Sequence, residues 1–200
     1  MLEYKSIEAL AAAAVRAGRK ISEVVLADQA EQLGMTQDEL YGRMEARLAV
    51  MEDSVRAGMN PVLRSTSGLT GGDAARMWRY AESGGICGGF INRAMARALA
   101  VSENNAAMGR VVAAPTAGSC GILPGTMVSM LAEGRCDRRA AVLSLFTAGA
   151  FGMVIAQNAS IAGAEGGCQA ECGSASAMAA AAMTELMGGS PAQCAHACAM

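Results

Sequence analysis

The chain is 200 residues long, 52% hydrophobic, 17% charged and only 4% aromatic. That length can bury a sizeable core, built here from Ala, Val, Leu and 15 Met rather than from rings. A net charge of −2 with no basic run excludes the electrostatic footprint of a nucleic-acid binder.

Ala-rich sequence with 4 Pro favours helix, because Ala has the best helix propensity. Ser6 is placed to cap a helix that ends at Gly18. Ser22 is placed to cap a second, ending near Gly34. Thr36 and Glu39 make a capping box for a third, which runs through Arg56. Its Leu40, Met44, Leu48, Met51 and Val55 fall on one stripe at spacings of three and four. Composition changes near residue 60, so residues 1–60 read as N-terminal amphipathic helices and 61–200 as a helical core, together one structural domain. Asn60–Asp73, NPVLRSTSGLTGGD, reads as a loop, with Asp73 capping a short helix through Tyr80. After the Gly84–Gly89 cluster a helix runs through Ala100, carrying Arg93 and Arg97. Val111–Gly121 turns at Pro115, and helices resume near Ile122, in pieces, through Met187. Ser190 followed by Pro191 opens the last helix. The expected fold is all-α, an Ala/Gly-rich multi-helix domain whose Gly-rich loops form the site.

Two stretches lack charge. Val111–Ala132 carries Pro115 and Pro124, which break a spanning helix. Ala140–Ala164 is diluted by Ser, Thr, Gly, Gln and Asn, and reads as a helix buried on all sides. No membrane role is expected. Met1–Ser6 carries Glu3 and Lys5, and the run Ala9–Val15 is mostly Ala, unlike a secretory segment. The 7 Cys are therefore expected as reduced thiols in a cytoplasmic protein, where metal or catalytic roles outrank disulfides.

Cys168 and Cys172 are four apart, as are Cys194 and Cys198, so each pair shares a helix face. A non-enzymatic metal-binding module using all four thiols is one reading; small buried hydrophobes in Ala-rich helices is the other. A helical scaffold that engages a partner through its charged N-terminal helices is a third. Three polar loops point elsewhere: Ser65–Asp73, Ala114–Gly121 and Ser160–Gln169. Each offers hydroxyls and backbone N–H groups and each enters a helix, an arrangement that holds small anions such as a carboxylate.

Four segments, STSGLTGGDA, ENNAAMGR, VAAPTAGSCGILPG and GAEGGCQAECGSASAMAAAA, together resemble the α chain of the iron–sulfur-dependent L-serine dehydratases, over nearly the whole chain. The resemblance implies deamination of L-serine to pyruvate and ammonia with a 4Fe-4S cluster, held by three Cys, and without pyridoxal phosphate. It implies Cys168, in the Gly-Cys-Gln element, as the first cluster ligand. The other two ligand elements do not occur in this sequence and are expected beyond Met200; the chain is therefore expected to be C-terminally truncated and inactive alone. It assigns Thr116, Gly118 and Ser119 to a substrate loop, Ser65, Thr66 and Ser67 to a second polar wall, and Asn105 and Glu165 to orienting substrate or cluster, with Glu165 a candidate base. It also implies a partner, a β subunit of the same enzyme, a homo-oligomer, or both.

Overall fold

Ser6 accepts a hydrogen bond from the Ala9 N–H, Gly18 takes the left-handed conformation, and α1 (Ile7–Ala17) lies between them. The capping box at Thr36 and Glu39 forms as expected and opens α3 (Gln37–Gly58). The computed structural model describes residues 4–200; Glu3 lies outside them. Among the described residues there are ten α-helices, one π turn and no strand, an all-α fold. Contacts divide them into two units. One comprises the residues up to Ala46 together with Cys136–Met200, the other Arg47–Arg135. The composition change near residue 60 falls inside the second.

The first unit is built around α7 (Arg138–Asn158), whose start is capped by Asp137. It packs against α2 (Ile21–Leu33) and α9 (Ser174–Leu186), while α10 (Pro191–Ala199) packs on α9 and α1. By length and composition α7 could cross a membrane. Here its Val142, Phe146, Ala150 and Phe151 are buried in the protein, but the helix ends at Asn158 rather than Ala164 and is not buried on all sides, residues 156–158 being exposed. Each fully buried Phe contributes roughly 1.5–3 kcal/mol. Small residues set the spacing: a Cβ at Gly152 would lie 2.7 Å from the Met178 sulfur.

Ser22 is not the cap of α2. The helix begins two residues past Arg19, its Lys20 N–H donating to the Glu23 carboxylate at 3.1 Å. Ser22 instead lies fully buried in the first turn. Its N–H donates to Glu185 at 3.2 Å, and the same carboxylate accepts from the Thr147 hydroxyl at 2.9 Å. A buried acid from α9 thus caps α2 across the core, which local sequence cannot reveal.

In the second unit α5 (Gly88–Ala106) packs against α4 (Asp73–Glu82) and α6 (Ile122–Ala132). Gly121 and Gly125 bring α6 against α5: a Cβ would lie 2.4 Å from the Ala98 carbonyl oxygen at the first and 2.8 Å from the Ala98 Cβ at the second. Arg97, buried on α5, donates to the Ser129 hydroxyl at 2.8 Å and lies over the Trp78 ring. Arg93 pairs with Glu133 at 2.7 Å. That hydrogen bond holds the Glu133 carboxyl below the usual carboxylate range, while burial pushes the Arg97 guanidinium down.

Candidate functional site

The candidate residues of the second unit gather around the C-terminal turn of α5. Three consecutive side chains there each tie down a different segment. Glu103, buried, accepts from the N–H groups of Gly72 at 2.9 Å, Asp73 at 2.6 Å and Ala74 at 3.1 Å. Asn104, buried, donates to the Ser54 hydroxyl at 3.0 Å and to the Arg110 carbonyl at 3.1 Å. Asn105 donates to the Ala117 carbonyl at 3.0 Å. One turn of helix therefore places the first polar loop, the run after Met108 and the second polar loop.

This corrects two sequence readings. Asp73 does not cap α4; Gly72 occupies that position with φ 81°, and the Asp73 carboxylate pairs with Arg76. The N–H groups that open α4 are filled by the protein's own Glu103, so they are not open to a small anion. Glu103 lies thirty residues from the Asp73 N–H it meets and among the polar Ser102, Asn104 and Asn105, so no local signal marks it.

The loop before α4 is internally bonded. Ser65 and Ser67 hydroxyls lie 3.1 Å apart, the Thr70 N–H donates to Ser65 at 3.2 Å, and the Thr66 N–H donates to the Ala106 carbonyl at 3.0 Å. Ser67 and Thr66 are exposed and Ser65 half-buried. In the second loop the Thr116 and Ser119 hydroxyls lie 3.1 Å apart, Ser119 buried, Thr116 half-buried and Gly118 exposed. The Ala114–Pro115 peptide is cis. Asn105, on the helix, bridges to this loop at Ala117, and Thr66 meets the Ala106 carbonyl, so the segment with Ser65, Thr66 and Ser67 and the segment with Thr116, Gly118 and Ser119 each join the end of α5 at one point. Both loops carry hydroxyls and backbone amides, groups of the kind that bind a small polar ligand.

Glu165 and Cys168 belong to the first unit. The chain leaves α7, and the Ser160 hydroxyl donates to the Glu165 carboxylate at 2.5 Å as α8 (Gly163–Cys168) begins. Gly167 breaks that helix with φ 67° and ψ −163°, a conformation open in practice only to glycine. Cys168 follows the break and leads into the π turn Gln169–Gly173, a geometry often found at functional sites. Cys168 is exposed.

A 4Fe-4S cluster takes thiolate donors, and Cys168 fits as one of them. No group of three or more His, Cys, Asp or Glu side chains stands close enough to hold a metal among the described residues. The set needed for a cluster therefore does not close within them. The same finding removes the four-thiolate module. Cys194 is fully buried, and burial followed by Glu185 pushes its thiol up to about 11. Burial also raises Cys198. Both favour the neutral thiol, a poor ligand at neutral pH.

A family model described as the serine dehydratase alpha chain matches residues 16–200, a stretch that includes every candidate residue above. The chain is 48% identical over 181 residues to the probable L-serine dehydratase alpha chain of Bacillus subtilis, covering 90% of this chain and 60% of that one. To the L-serine dehydratase alpha chain of Peptoniphilus asaccharolyticus it is 42% identical over 181 residues, covering 90% and 62%. To the L-serine dehydratase TdcG of Escherichia coli it is 55% identical over 97 residues, 48% of this chain and 21% of the relative. The chain thus spans about 60% of the length of the two alpha chains it matches.

Proposed function

The chain belongs to the serine dehydratase alpha-chain family, and from that membership we propose that it is the catalytic part of a cytoplasmic enzyme converting L-serine to pyruvate and ammonia. The observation that carries the reading is the attachment of both polar loops to the end of α5, one through Thr66 to Ala106 and the other through Ala117 to Asn105, inside the matched stretch. The reaction is a β-elimination of water. The aminoacrylate so formed becomes an imine and hydrolyses without further catalysis.

Cys168 is assigned as one ligand of a 4Fe-4S cluster, with the others from outside the described residues; when bound, the cluster supplies the Lewis acidity that makes hydroxide a tolerable leaving group. The Thr116 and Ser119 hydroxyls and the neighbouring backbone of Gly118 form hydrogen bonds to the substrate. Ser65, Thr66 and Ser67 form a second polar wall of the site. Asn105 holds the Thr116–Ser119 loop in place through Ala117. Glu165 is the candidate for removing the Cα proton, its carboxylate steered by Ser160. A β chain is the proposed partner, in keeping with relatives named as alpha chains.

The test is pyruvate formation by the full-length protein with its partner, assayed anaerobically with L-serine, D-serine and L-threonine. Turnover of L-serine is expected, with Thr116→Ala raising KM and Glu165→Gln lowering kcat. Absence of pyruvate from a protein carrying its full iron complement overturns the reading.

A further inference from the structure

α4 and α5 both open on a glycine in the left-handed region. Gly72, before α4, has φ 81°, and Gly88, the first residue of α5, has φ 76°. At α4 the N–H groups of Gly72, Asp73 and Ala74 all donate to one carboxylate, that of Glu103. At α5 the N–H groups of Gly88, Gly89 and Phe90 meet no acceptor among the described residues, no side chain caps the helix, and its first turn holds no acid. Gly88 is exposed, so a helix of 19 residues turns the positive end of its dipole to solvent. The side chains around this start are donors as well. Asn92 is 1% exposed, and its Nδ2 has no partner. Helical side chains lean toward the N-terminus, and a Cβ on Gly85 would stand 2.0 Å from that nitrogen, so the amide lies against the turn that leads into α5. Arg93 gives its Nε to Glu133 and lays its other nitrogens beside Gly89, where a Cβ would stand 2.9 Å from Nη1. The Arg135 guanidinium lies 4.4 Å from the centre of the Phe90 ring. Arg93, Arg97 and Arg135 all act on the one acid Glu133, which leaves these four groups with an excess of positive charge.

We propose that the start of α5 binds a small carboxylate anion. The anion accepts from the N–H groups of Gly88, Gly89 and Phe90, as the Glu103 carboxylate accepts from the start of α4. The Asn92 amide supplies a further donor, and Arg93 and Arg135 supply the countercharge. The Ile86 N–H donates to the Tyr80 hydroxyl at 3.0 Å and so fixes the turn beside the site. A carboxylate is the class, rather than a phosphate, because the two oxygens of Glu103 fill all three donors of the α4 start. Asn105 is roughly 25 Å further along α5, so this site is separate from the polar loops and does not rest on the activity proposed for them.

The probe is acetate, titrated into the full-length protein against chloride at constant ionic strength and pH, with the melting temperature as the readout. Acetate is expected to raise it saturably, because a ligand that binds only the folded state stabilises that state. Arg135→Gln is expected to weaken the apparent affinity about tenfold, the loss of one charge-assisted contact. Ile91 is exposed, and Ile91→Glu places a carboxylate of the protein's own in the first turn. That variant is expected to melt no lower than the native protein without acetate and to lose the acetate response. Asn92→Ala is expected to weaken binding as well; should it fail to fold, Arg135→Gln and Ile91→Glu decide. Thr116→Ala, in the second polar loop, is expected to keep the full response. An equal effect of acetate and chloride overturns the proposal. So does a response that survives in both Arg135→Gln and Ile91→Glu, or one that disappears in Thr116→Ala, since acetate then binds elsewhere. A response to inorganic phosphate without one to acetate overturns the choice of a carboxylate.

Discussion

Glu103 and Gly167 act through opposite means, one by what its side chain reaches and the other by having none. The Glu103 carboxylate accepts three backbone N–H groups at the start of α4 while itself buried. Glu103→Ala leaves those donors without their acceptor and is expected to cost about 3 kcal/mol, read as a lowered urea midpoint. Glu103→Gln, which keeps one acceptor oxygen, is expected to lose less. Asn105→Ala removes one half-exposed hydrogen bond, so stability is expected to fall by only about 1 kcal/mol. If the loop it holds binds substrate, kcat/KM falls on the order of tenfold or more, because misplacement of a positioning group is felt in the rate. At Gly167 a side chain is expected to cost about 1–3 kcal/mol, since φ 67° with ψ −163° is not open to L residues with a Cβ. Gly167→Ala is expected to shift Cys168, measurable as slower alkylation of that thiol or lower iron content in the full-length protein.

Among the elements, α5 and α6 make a contact sensitive to size. A Cβ at Gly125 would come within 2.8 Å of the Ala98 Cβ and 3.0 Å of the Ala94 carbonyl oxygen. Gly125→Ala is therefore expected to destabilise by about 1–3 kcal/mol through overpacking, despite its better helix propensity. The ion pair on the same helices has a pH signature. Arg93 lowers the folded-state pKa of Glu133, so the carboxylate's contribution is present above its unfolded value and lost as pH falls through the folded one. Unfolding midpoints of the native protein and Glu133→Gln are expected to differ at neutral pH and to converge on acidification. Much of this level was legible in the sequence. Ser6, Thr36 with Glu39, and Ser190 before Pro191 all cap where their side chains predicted, because a cap is a bond between residues three apart. Ser22 and Asp73 misled for the converse reason. The helices start before those side chains could cap them, and the open N–H groups of Ser22 and of Gly72, Asp73 and Ala74 are taken by Glu185 and Glu103, which arrive through tertiary packing. The break at Gly167 was not visible either, since a glycine in a Gly-rich helix pattern carries no sign of its torsion angles.

For the molecule as a whole, the resemblance and the all-α fold agree, and the polar loops were legible as segments because each combines hydroxyls, glycines and a following helix. The dependence of two of them, Ser65–Asp73 and Ala114–Gly121, on the end of α5 was not, because it runs through Glu103 and Asn105, polar residues with no motif of their own. No group of three metal-binding side chains gathers among the described residues, and only Cys168 is both exposed and presented by a backbone break. The 200-residue chain alone is therefore expected to take up less than one 4Fe-4S cluster per molecule on anaerobic reconstitution. Iron, sulfide and protein assays check this directly.

The three consecutive anchors at the end of α5 also dictate where this protein can change length. Successive helical residues point about 100° apart, so inserting or deleting one residue between Gly88 and Ser102 would swing Glu103, Asn104 and Asn105 off their partners together. No single compensating substitution restores three directions at once. Natural variation in length should accordingly collect in the loops that α5 holds and avoid the helix that holds them.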